Sequence, residues 1–238
     1  MTPRRTAAIC LVALAAAGCR REAPSDALFP LAAGHRWVYR VTTQTESNTV
    51  EQDTLTLTTL GAERFAGADN KSAWHRRGSD GVDYWLRADD SGIYRVASKA
   101  LLDAAPQLDV PQRYVLRAPF TVGTQWQSMT NAYVLMRRFD FPREVRHTYP
   151  PVPMTYRIEA ADEAVDTPGG RHAHCLRVRG SASVRVYADP VIGWREVPLT
   201  TLEWYCRGVG LVRLERSEPV PSKFMIGGTR TMELLSFR

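Results

Sequence analysis

The stretch F-P-L-A-A-G-H-R-W-V-Y, residues 29–39, decides the fold. It holds the spacing Pro-x3-Gly-x2-Trp at Pro30, Gly34 and Trp37, and the spacing returns at Pro119, Gly123 and Trp126 within A-P-F-T-V-G-T-Q-W. Its physical content is local. Proline fixes φ and favours an extended lead-in. Glycine permits a turn that side-chain-bearing residues resist. Tryptophan then opens a strand with a large surface to bury. The pattern predicts a strand-initiation device used twice. Core packing, rather than ligand contact, is the expected role of Trp37 and Trp126.

Working outward, the landmarks keep one order in both halves. After Trp37 come a strand pair, A-W-H-R-R-G ending at Gly78, Y-W-L-R at 84–87 and G-I-Y-R-V at 92–96. After Trp126 come a strand pair, C-L-R-V-R-G ending at Gly180, W-Y-C-R at 204–207 and G-L-V-R-L at 210–214. The second half carries an extra stretch, 181–199, expected as an inserted hairpin. The dominant period is two: Trp37, Tyr39 and Val41 alternate with Arg36, Arg40 and Thr42. Leu55 and Leu57, Tyr133, Leu135 and Phe139, Val184 and Val186, and Val212 and Leu214 continue it. Such alternation between Gly, Asp and Pro turns marks half-buried antiparallel strands. A-D-D-S-G at 88–92 predicts a hairpin turn. Residues 98–105 predict one short helix, and the proline-rich 150–153 a loop or the start of an edge strand.

The expected fold is therefore all-β: a strongly curved antiparallel sheet or incomplete barrel of about a dozen strands, built from two pseudo-repeats near 29–110 and 118–218 with a C-terminal strand near 228–237. Two packed β subdomains are the alternative. A length of 238 residues and 44% hydrophobic content suit either.

Residues 1–18 read as an export signal. Arg4 and Arg5 precede an apolar run at 7–17, too short for the ~20 residues that span a bilayer. The run ends in A-A-G-C, which is similar to a bacterial lipobox and makes Cys19 the lipidated first residue; an ordinary cleaved signal is the alternative. Several acyl chains anchor stably where one binds only reversibly. Residues 19–28 form a tether to a β domain at 29–238, and the seven residues 20–26 reach at most ~25 Å. Arg20 after the cysteine favours the outer membrane, on its periplasmic face, by similarity to enterobacterial sorting rules. The 31 basic residues less Arg4 and Arg5 leave 29 against 25 acidic, or +4. These charges are interspersed, without the basic patch that nucleic-acid binding needs.

P-L-x-x-G-x-x-W-x-Y shortly after a lipobox, P-x-x-V-G-x-x-W, W-Y-C-R-G-V-G-L-V-R and E-L-L-S-F resemble a broad group of uncharacterised bacterial lipoproteins. The resemblance implies a secreted, lipid-anchored β domain and carries over no catalytic residues. The half-barrel carriers of the lipoprotein-localisation type are similar in fold only.

Cys175 and Cys206 remain after processing, and two cysteines in an exported chain predict one disulfide. The repeat alignment sets Cys175 where Ala73 stands and Cys206 where Leu86 stands, columns expected to face each other. The alternative is a metal or redox site, although no C-x-x-C occurs. His172 and His174, two apart on a strand, are a candidate two-histidine metal half-site, but no third ligand accompanies them. No G-x-S-x-G elbow or phosphate loop appears. The sequence thus points to a non-catalytic envelope protein without cofactor, binding another protein or serving a structural role. A carrier of an apolar ligand such as a lipid, and an unrecognised metal-dependent hydrolase, are the alternatives.

Overall fold

The computed structural model describes residues 27–65, 71–137, 149–189, 191 and 193–238. The period of two becomes strands: on β1 (Arg36–Thr45), Trp37, Tyr39 and Val41 are buried while Arg36, Val38 and Arg40 are half-buried. β1 starts an antiparallel meander continued by β2 (Val50–Arg64), β3 (Ser72–Gly78), β4 (Asp83–Asp89), β5 (Gly92–Lys99) and β6 (Gln107–Arg117). A second meander runs through β7 (Gln125–Thr130), β9 (Val152–Thr167), β10 (Gly170–Asp189), β11 (Gly193–Cys206), β12 (Gly210–Glu218) and β14 (Gly228–Phe237). Among the described residues the two-residue strands β8 (Met136–Arg137) and β13 (Met225–Ile226) pair with each other in a separate small sheet. β1 pairs with β14, so both meanders form one twelve-stranded sheet that ends on β6 and β7. The sheet curls into a nearly closed barrel with one unsealed seam. Across that seam the Ser128 hydroxyl donates to the Tyr114 carbonyl at 3.0 Å.

Both Pro-x3-Gly-x2-Trp stretches make the same turn. Gly34 (φ +88°) donates to the Thr59 carbonyl at 2.8 Å, and Thr59 N–H returns a bond to the His35 carbonyl at 2.9 Å. Gly123 (φ +96°) donates to the Ile158 carbonyl at 2.9 Å, and Ile158 N–H bonds the Thr124 carbonyl at 3.0 Å. At such positive φ only glycine is unstrained. Trp37 then stacks on its cross-strand partner Phe237 at 5.2 Å, and Trp126 on its partner Tyr156 at 5.5 Å. The two sites part at the indole N–H: Trp37 donates to the Val209 carbonyl at 2.7 Å, whereas Trp126 Nε1 is buried without a hydrogen-bond partner among the described residues.

Three local expectations are corrected. Residues 98–105 form no helix: β5 runs to Lys99, and a turn follows in which Asp103 accepts from Ala100 N–H at 2.8 Å. The run is too short to repay helix nucleation, and the aspartate supplies a competing turn bond. Tyr133 and Leu135 lie in a loop rather than a strand, and Phe139 falls outside the described residues. The stretch 181–199 is not a separate hairpin but the outer half of the β10–β11 ladder, in register from Ser181 opposite Thr200 to Tyr187 opposite Trp194.

Two carboxylates, the buried Glu218 and the exposed Glu46, fix the loops over the barrel. Glu218, fully buried, accepts from the backbone N–H groups of Tyr133, Val134 and Leu135 at 2.8–3.2 Å and from Arg216 Nε at 2.8 Å. Glu46 likewise accepts from Val220 N–H at 3.0 Å and Gly227 N–H at 2.9 Å. These bonds satisfy N–H groups that would otherwise be left unpaired.

Candidate ligand cavity

The inner wall of the barrel is not filled by its own side chains. Leu55 and Leu57 on β2, Tyr84 on β4, Leu211 and Leu214 on β12 and Met232 on β14 are only half-buried. A close-packed core would bury such residues. They surround a cavity of about 340 Å³, within the 300–1,000 Å³ typical of small-molecule sites. Phe29, Pro30, Trp37, Tyr39, Tyr156, Glu203 and Tyr205 also line it.

The β1 aromatics are held by carbonyls of the β11–β12 turn and the start of β12. The ladder between β12 and β14 covers only Arg213 to Glu218, leaving residues 209–211 outside it. Trp37 takes the Val209 carbonyl, and Tyr39 donates to the Leu211 carbonyl at 2.8 Å. Burial raises the Tyr39 and Tyr205 phenols well above their usual range and pushes Tyr156 up to about 12. All three stay neutral hydrogen-bonding groups at physiological pH.

Four charged side chains enter this lining, Arg76, Arg95, Arg113 and Glu203. Arg76 on β3 is 5% exposed. Its guanidinium lies between the rings of Phe29 and Trp37, 4.5 and 4.2 Å from their centroids. Nη2 donates to the Pro30 carbonyl at 2.7 Å and Nε to Thr59 Oγ1 at 3.2 Å. Burial lowers its pKa to about 10, so it remains a cation at neutral pH. Glu203 on β11 accepts from the Tyr205 hydroxyl at 2.5 Å and from Thr201 at 3.4 Å. Burial pushes its carboxyl above the usual range, partly offset by those hydroxyls and by Arg113. The arrangement can hold an apolar body and meet a polar head. No serine, cysteine or histidine lines it among the described residues.

The residues singled out from sequence divide. Pro30 and Trp37 line the cavity, so Trp37 is both core and wall, whereas Gly34, Pro119, Gly123 and Trp126 serve the strand starts. Cys175 and Cys206 stand directly opposite each other on β10 and β11 and form a disulfide, packed among Trp37, Tyr39, Val165, Val212 and Leu234. Their first-half counterparts Ala73 and Leu86 lie on neighbouring strands but offset by one residue, since Leu86 faces Trp74. His172 and His174 do not act together. His172 Nε2 is 3.1 Å from Thr167 Oγ1, while exposed His174 pairs with Asp162 across a kink where both have positive φ. The described residues contain no group of three His, Cys, Asp or Glu placed to share a metal ion. Cys19 lies outside the described residues.

Sequence reasoning missed Arg76 and Glu203. Glu203 had a readable signal: in T-x-E-x-Y it alternates with Thr201 and Tyr205, all on one face and all buried. Arg76 had none, because His75 beside it is buried as well, stacked on Trp85 on the opposite face of β3.

No family model matches the chain. No curated protein is significantly similar to it in sequence. Two crystal structures share its course at low similarity. One is a "putative lipoprotein" from Parabacteroides distasonis, at 14% identity and TM-score 0.40, covering 90% of this chain and 99% of that one. The other is a "putative exported protein with YmcC-like fold" from Bacteroides fragilis, at 14% identity and TM-score 0.38, covering 88% and 98%.

Proposed function

We propose that this is a lipid-anchored, non-catalytic binding protein of the bacterial cell envelope whose barrel cavity takes a small apolar ligand. The cavity of about 340 Å³ walled by half-buried apolar side chains is the observation that carries this reading. Exposed apolar wall gains free energy when a ligand covers it, at about 25 cal/mol per Å². The export signal and lipobox support the anchored state and, with Arg20, the periplasmic face of the outer membrane. The tether also leads to the cavity. Phe29 and Pro30 belong to its wall, and Phe29 stands ten positions after Cys19, a reach of at most ~35 Å. An anchored chain thus keeps the cavity beside a membrane that supplies apolar molecules. The two six-strand meanders, with their matching turn bonds, we read as copies of one ancestral unit.

The test is native mass spectrometry of full-length protein purified from membranes. One small apolar molecule per folded chain supports the reading; protein that neither retains nor rebinds any apolar molecule contradicts it. A second reading, docking of an envelope protein, is favoured by the exposed Leu101, Leu102 and Val110 around the β5–β6 connection beside the seam. Loss of a defined partner on combined Leu102→Asp and Val110→Asp substitution would support that alternative.

A further inference from the structure

The cavity cations differ in what compensates them. Arg95 is held by both carboxylate oxygens of Asp109, at 2.6 and 2.8 Å. Arg113 acts on Glu203. Arg76, more deeply buried than either, has only neutral partners among the described residues: one carbonyl, one hydroxyl and two aromatic faces. Among the described residues no carboxylate comes within ion-pairing distance of it, and its Nη1 edge makes no hydrogen bond to protein. Elsewhere this fold matches its deepest arginine with a carboxylate, as Glu218 does for Arg216. A buried charge without a counter-charge is costly, and a guanidinium presents a planar set of donors suited to carboxylate or phosphate.

Resting on the reading of the barrel as a ligand cavity, we infer that its ligand is an amphipathic anion: a carboxylate or phosphate head seated on the Nη1 edge of Arg76, with an apolar tail along Leu55, Leu57, Leu214 and Met232. The flanking rings of Phe29 and Trp37 hold the guanidinium plane, so the head meets a fixed donor set rather than a flexible cation.

The experiment uses full-length protein in detergent at pH 7.5 with the fluorescent apolar probe N-phenyl-1-naphthylamine, displaced by decanoate, decyl phosphate or decanol. The expected result is displacement by at least one anion at about 10- to 100-fold lower concentration than decanol, the strength of a charge-assisted hydrogen bond. The order of the two anions tells a carboxylate from a phosphate head. In Arg76→Met the anions fall to the range of decanol while decanol is unchanged, and Arg76→Lys keeps part of the preference. If decanol matches both anions on the unsubstituted protein, the anionic head is refuted and the apolar cavity stands. If the probe itself does not bind, the cavity reading falls too. The comparison of heads needs no variant, so it decides even if Arg76→Met fails to fold.

Discussion

Replacing Glu218 by alanine tests how the barrel is held. The carboxylate is 0% exposed and has four protein donors: three consecutive backbone N–H groups and the Arg216 guanidinium, itself 2% exposed. Each N–H group left unpaired costs about 1 kcal/mol or more. Breaking a buried ion pair on one side costs about 3–5 kcal/mol. The contributions overlap because the donors share one acceptor, so a total of about 4–6 kcal/mol is expected. That is a large part of the 5–15 kcal/mol that usually stabilises a domain. Urea denaturation followed by tryptophan fluorescence reads it as a fall in midpoint. Glu218→Gln, which keeps an acceptor and loses the charge, is expected to fall between the two. Adding Arg216→Met to Glu218→Ala is expected to recover part of the loss, because the uncompensated cation is then gone. A loss below about 1 kcal/mol for Glu218→Ala would refute the clamp.

Other outcomes follow from single features. Removing the disulfide with Cys175→Ala and Cys206→Ala, which opens a loop of 31 residues, is expected to cost about 3–4 kcal/mol in urea. Glu203 has its folded pKa raised by burial, so its contribution is fully present below its unfolded value of about 4.5 and declines as pH rises above it. Glu203→Gln is therefore expected to gain stability relative to the unsubstituted protein as pH is raised from 5 to 8, measured as the difference in urea midpoints; a constant difference would contradict the buried neutral acid. Cys19→Ala is expected to move the protein from the membrane fraction to the aqueous fraction of cell lysates, with loss of radiolabelled palmitate incorporation.

Much of the architecture was legible because it follows from period and turn chemistry. Trp37, Tyr39 and Val41 alternate as a half-buried strand must, and the glycines at 34 and 123 mark turns that need positive φ. Asp89 likewise announces its hairpin, accepting from Ser91 N–H and the Tyr94 hydroxyl. The disulfide was legible from the two cysteines that remain once residues 1–18 are read as an export signal. What was not legible depends on closure. Residues 133–135 carry a strand-like pattern, yet their N–H groups go to a carboxylate more than eighty residues away, and no local signal encodes that. Arg76 reads as one of many surface arginines until the curled sheet brings Phe29 and Trp37 to its two faces. Whether the barrel fills itself or leaves a cavity depends on side chains from ten strands and the loop segment 29–30 at once, beyond the reach of any periodicity.

The most direct measurement of the central claim is titration of folded full-length protein with N-phenyl-1-naphthylamine, set beside Leu57→Trp. Leu57 is half-buried on the cavity wall opposite Trp37 in the β1–β2 ladder, so a larger ring there occupies the space with little effect on the sheet. The account predicts saturable one-to-one binding by the unsubstituted protein and its loss in Leu57→Trp at unchanged urea stability. Absence of saturable binding, or equal binding by both proteins, would contradict it.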